Sequence, residues 1–271
     1  MTAAAMPPAA RVRPFGLARA DLLKLRKRRG LFWTTAGLIV APQVIAYGIL
    51  SILHAVNPEH HGPAGGIANL GHGMSLLVLV GSIGAIIAGA SAGAGDLSAG
   101  VFRELVVTGR SRLALFGARI PGGLAFVLSF TAVAYGISAV VSVAASGNLV
   151  RPSATLVVES GLWVFAELAF YAVLAVGLAS LTGSRAYTIG ILLAWRTAVS
   201  HILVSISALG VYRELLPDVP FDRLAPSAVE EYVRDVPSHI GMSVPAAILV
   251  LLLWAAVLTG LGAWRTATRD A

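Results

Sequence analysis

Met74–Gly95 reads MSLLVLVGSIGAIIAGASAGAG and carries no charged residue. About 20 consecutive apolar residues suffice for a helix to cross the hydrocarbon core of a bilayer. Five further stretches read the same way. They are Leu31–Leu53, Ile120–Ala145, Leu162–Leu181 (interrupted by Glu167), Ala186–Gly210 (interrupted by Arg196 and His201) and Ile240–Trp264. The expected fold is an all-α polytopic membrane protein with six transmembrane helices. A single transmembrane domain covers 31–264, between a basic tail over 1–30 and a short tail over 265–271.

Composition agrees. Hydrophobic residues make up 57% of the chain and charged residues 12%. Soluble domains carry about 25% charged residues. There is no cysteine, which excludes disulfides, thiolate metal sites and cysteine nucleophiles. The first 30 residues are too polar and basic for a signal-peptide core, so the run from Leu31 is expected to be a retained helix.

The formal charge of +7 is a matter of membrane orientation, not of nucleic acid. With the N-terminus inside, the inner segments hold Arg11, Arg13, Arg19, Lys24, Arg26, Lys27, Arg28 and Arg29. They also hold Arg103, Arg110, Arg112, Arg119, Arg185, Arg265 and Arg269. The outer segments hold only Arg151, Arg213, Arg223 and Arg234. Both termini are therefore expected in the cytoplasm, with the protein in the cell membrane. The outer segment between spans five and six is acidic (Glu214, Asp218, Asp222, Glu230, Glu231, Asp235). Its four prolines allow at most a short helix, over Ala228–Val236.

Several local patterns have a functional and a plain reading. Phe15–Arg29 suits an interfacial helix lying on membrane lipids, or a stop-transfer cluster. Gly81, Ala85, Gly89 and Gly93 form one small-residue face for helix packing, within the chain or between subunits. Pro42 is expected to kink span one. Gly89–Gly93 spells G-x-S-x-G, but inside an apolar helix, and Ser91 and His201 differ by more than about 15 Å in depth, so no protease is expected. His54, His60, His61 and His72 crowd one outer loop without metal-ligand spacing, so no metal site is expected. No phosphate-binding loop with its lysine occurs.

Glu167, Arg196 and His201 lie inside spans, where ionisable groups are costly. Counted from Leu162 and Gly210, they sit about 8, 21 and 14 Å deep. Spans four and five are joined by a short turn at Gly183–Ser184. That puts His201 in reach of Glu167, with Arg196 further off. The group is either the polar lining of a translocation path or a lock between two helices.

The segment Asp96–Arg119, DLSAGVFRELVVTGRSRLALFGAR, joins spans two and three. Phe102, Leu105 and Val106 make a short apolar face, followed by a basic turn, Arg110-Ser111-Arg112. On pattern alone this is a short cytoplasmic amphipathic helix or an ordinary basic loop. Asp96, Gly100, Phe102-Arg103-Glu104-Leu105, Thr108-Gly109-Arg110-Ser111-Arg112 and Arg119 together resemble the permease subunits of ABC-2 type transporters, especially actinobacterial ones. Val101 stands where threonine is common in that family, and Arg119 where lysine is frequent. The basic N-terminal helix, six spans and long outer segment also fit.

The resemblance implies a permease without catalytic chemistry, paired with a second permease as a homodimer or heterodimer. Each would sit on a separate ATP-binding subunit that holds ATP and Mg. No cofactor is implied on this chain. The segment Val101–Thr108 would be the coupling helix, with Asp96, Gly100, Arg110 and Arg112 around it. Export is the usual direction. The alternatives are a secondary transporter or a membrane-embedded lipid-modifying enzyme.

Overall fold

The computed structural model describes residues 14–107, 109, 111–233 and 241–269. Among these residues all regular structure is helical. Helix α1 spans Pro14–Lys27, α2 Arg29–Ile39, α3 Ala41–Val56, α4 Ile67–Ser98, α5 Phe102–Val107 and α6 Arg112–Ala144. Helix α7 spans Ala154–Thr182, α8 Arg185–Ala194, α9 Ser200–Ser205, α10 Val219–Leu224, α11 Glu230–Val233 and α12 Val244–Thr268. Six helical stretches are long and apolar enough to cross a membrane: Arg29–Val56, α4, α6, α7, Arg185–Ser205 and α12. This is the architecture of a multi-pass membrane protein.

Serine caps set the starts of four helices, and α6 and α7 therefore begin well before the charge-free stretches. Ser111, Ser153, Ser184 and Ser243 each accept a hydrogen bond from the backbone N–H three residues on, at 3.1–3.4 Å. Thus α7 starts at Ala154, eight residues before the expected Leu162. The fifth stretch ends as a helix at Ser205, not Gly210. Ile206 turns extended (ψ 98), and a 3-10 segment, Ser207–Leu215, follows, bent at Gly210 (φ 51). Span one breaks at Val40, where Pro42 enters the first turn of α3 and so costs no hydrogen bond. The short helix expected over Ala228–Val236 is observed over Glu230–Val233; residues 234–236 lie outside the described residues.

Helices α4 and α7 form the centre: 67% of the apolar window of each is buried, against 11% for α12 and 17% for span one. Small residues allow this approach. A Cβ on Gly93 would lie 2.5 Å from the Val176 carbonyl oxygen, and one on Gly89 would overlap that of Ala172. Gly81 and Ala85 continue the same buried face, with Gly81 against Leu168 of α7. The opposite side of α7 meets α12 through Gly177 and Gly262. Close backbone approach of this kind is how helices pack where no hydrophobic effect drives them together.

Candidate functional site

Two polar constellations stand out, one near the C-terminal end of span four and one that starts at its middle. At the α1 end, the chain leaves α4 through Gly100 (φ 71), forms α5, and turns again at Gly109 (φ 80) before Ser111 caps α6. Two left-handed glycines thus bracket a single short helix. Asp96 is buried just ahead of it. It accepts hydrogen bonds from Lys24 Nζ of α1 at 2.8 and 2.9 Å, and lies 3.9 Å from the Arg119 guanidinium of α6. Lys24 also pairs with Asp21 at 2.6 Å. Arg119, 1% exposed, donates to the Gly93 carbonyl at 2.9 Å and to Ser180 Oγ at 3.4 Å. Its guanidinium stands 5.5 Å from the centre of the Phe102 ring.

The exposed face of this helix is therefore smaller than its sequence suggests. Phe102 is buried, and its ring faces Arg119 and not a partner. Asp96 points inward, because α1 offers it a cation. Arg112 is turned to the end of α12, donating to the Ala267 and Arg269 carbonyls at 3.2 and 2.5 Å, where carbonyls lack intrahelical partners. Burial lowers the Arg269 pKa, with the charge of Arg265 adding to the effect. Val101, Glu104 and Val107 remain exposed, and Leu105 is half-buried. The Arg103 side chain, Thr108 and Arg110 lie outside the described residues.

In the membrane interior, Glu167 of α7 and Arg196 are 3% and 2% exposed and lie 3.7 Å apart. The Arg196 guanidinium is 5.7 Å from the Tyr171 ring centre. The Tyr171 hydroxyl donates to the Asp218 carboxylate, which also accepts from Trp195 Nε1 at 3.1 Å. Next to it, Trp163 Nε1 donates to the Phe221 carbonyl of α10 at 2.9 Å. A continuous polar chain so runs from the middle of α7 to the segment between spans five and six.

His201 is not part of it. Arg196, Ser200 and Val204 face inward at four-residue spacing, and His201, one step further round, is exposed. The expected depths fail because both helix ends moved. Starting α7 at Ala154 deepens Glu167 by about 12 Å, and ending span five at Ser205 raises Arg196 by about 8 Å. A five-residue π-helical turn, Trp195–Val199, presents Trp195 and Arg196 side by side to this chain. Asp218, read from sequence as one acid among several in an outer segment, is 7% exposed and receives two donors. Its place just before the Pro220 helix start is the one local hint.

The other motifs are accounted for by packing. Ser91 Oγ donates to the Ile87 carbonyl of its own helix at 2.7 Å. His54 contacts the His61 carbonyl, His60 contacts Asn57, and His72 packs edge-on to Tyr232. No group of three metal-ligating side chains converges among the described residues. No protein-family model matches the chain, and no curated protein matches it in sequence.

Proposed function

We propose that this chain is the permease subunit of an ATP-driven exporter of the ABC-2 type, with both termini in the cytoplasm. Its six spans form the translocation path together with those of a second permease. A separate ATP-binding subunit, with ATP and Mg, supplies the energy, and the chain does no chemistry of its own. The observation that carries this reading is the mounting of α5. The helix presents Glu104 and Val107 outward, with Val101 exposed just before it, while Phe102 on Arg119 and Asp96 on Lys24 tie its root to α6 and α1. A push on α5 is thereby passed to α1 and to spans two and three at once. A partner that closes on ATP biases the permease through such an element only if it binds two states of the loop differently.

The Glu167–Arg196–Tyr171–Asp218 chain then lines the path or locks it at the α10 end. The same chain is the one feature that favours the alternative, a secondary transporter, because intramembrane charge pairs mark ion pathways there. A membrane-embedded lipid-modifying enzyme has no comparable support. The test is recovery of the tagged protein from detergent-solubilised native membranes, with mass spectrometry of its partners. A soluble subunit with a phosphate-binding loop, lost on scrambling 102–108, supports the exporter. Repeated recovery without one moves the reading to the secondary transporter.

A further inference from the structure

Four consecutive cations, Arg26-Lys27-Arg28-Arg29, read in the sequence as one topology signal. The structure splits them. Helix α1 ends at Lys27 and α2 begins at Arg29, with Arg28 between them out of helical geometry (φ −78, ψ 88). The bend turns the half-buried Arg28 toward α4, against Gly95. It leaves Arg26, Lys27 and Arg29 exposed around a cleft of about 460 Å³, whose remaining walls are Leu23, Phe32 and Trp33.

Three features of this cleft point to a ligand. Its three cations have no carboxylate within ion-pair distance among the described residues; Lys24 engages the neighbouring acids, Asp21 and Asp96. Its wall changes from cationic to aromatic over one turn, and Trp33, 70% exposed, stands at the end of a span, where tryptophan marks the headgroup level. Its arginines offer the forked donors that match phosphate oxygens.

We infer that the elbow between α1 and span one binds the phosphate of an anionic glycerophospholipid, with Arg26, Lys27 and Arg29 on the headgroup and Leu23, Phe32 and Trp33 along its acyl chains. Apolar walls continuous with the membrane face favour a lipid over free phosphate, which has no use for them. The site then anchors α1 to one leaflet, next to the Lys24–Asp96 contact that holds the α5 loop. This inference does not depend on the exporter reading.

The test is native mass spectrometry of the purified full chain with an equal mixture of phosphatidylglycerol and phosphatidylcholine. The wild type should retain phosphatidylglycerol preferentially. If each cation contributes about fivefold, R26Q/K27Q/R29Q should lower that preference roughly a hundredfold. R19Q/R185Q/R265Q, which removes as much charge from exposed positions elsewhere, should keep it. Equal loss in both variants, or no loss in the first, overturns the site. Displacement of phosphatidylglycerol by excess inorganic phosphate overturns the lipid as its occupant. Should the first variant fail to insert, Lys27→Glu alone reads the same outcomes.

Discussion

Lys24 on α1 and Asp96 at the end of α4 are 72 residues apart in sequence and joined at 2.8 Å. Asp96 is the closest carboxylate to the Arg119 guanidinium, so one acid serves two cations from two helices. Buried ion pairs rarely stabilise a fold outright, but removing one partner leaves a charge stranded.

Asp96→Asn should therefore destabilise more than Lys24→Met. Asp96→Asn strands the buried Arg119, whereas Lys24→Met leaves Asp96 with Arg119 as its counter-charge. The expected cost is about 2–3 kcal/mol for Asp96→Asn and about 1 for Lys24→Met. Thermal unfolding in detergent measures both. Equal costs would mean that Arg119 does not depend on Asp96.

Glu167 and Arg196 should couple, and Glu167 and His201 should not. Side-chain pairs inside membranes couple by about 0.6 kcal/mol on average and rarely by more than about 1.7. A cycle of Glu167→Gln and Arg196→Gln should return a value in that range. The same cycle with His201→Ala should return zero within error, since His201 is exposed. Coupling to His201 instead would contradict the inward register of Arg196, Ser200 and Val204.

The absence of cysteine makes labelling a clean probe of topology. With both termini inside, Glu59→Cys should react with a membrane-impermeant maleimide in intact cells. Glu104→Cys, exposed on α5, should react only after permeabilisation. The reverse pattern would invert the proposed orientation and put α5 beyond reach of any cytoplasmic partner. In the same format, Asp218→Ala should raise labelling of Phe221→Cys. It removes the acceptor that Tyr171 and Trp195 share, and Phe221 is buried while that contact holds.

The six spans were legible because lipid tolerates so little charge that charge-free runs mark them. Their ends were not. Charge counting stops at Glu159 and Arg119, yet α7 and α6 run on past both to serine caps at Ser153 and Ser111. A serine followed by an apolar run was the available signal, and it sat outside the stretches being counted. The small-residue face of α4 was legible as a face, because four-residue spacing aligns it; its partner, α7, was not. Glu167 and Arg196 were legible as intramembrane charges, but pairing them with each other and not with His201 required depths that inherited the errors in the helix ends. Asp218 was the least legible. Its contact with Tyr171 spans 47 residues, and its place before the Pro220 helix start is the one local feature that sets it apart from its acidic neighbours.

Helix α5 carries exposed and buried side chains within a few residues of each other. Val107 is 80% exposed and Glu104 is exposed, whereas Phe102 is buried beneath Arg119. Val107→Asp and Glu104→Lys should thus leave thermal stability within about 0.5 kcal/mol, as surface changes usually do. If α5 docks on an ATP-binding subunit, both should nonetheless abolish its co-purification. Phe102→Ala should lose stability as well, by about 3 kcal/mol for a buried aromatic ring. That loss would lower partner recovery indirectly, so Phe102 cannot report on docking by itself. Intact partner recovery with both Val107→Asp and Glu104→Lys would remove α5 as the docking element, whatever Phe102→Ala does.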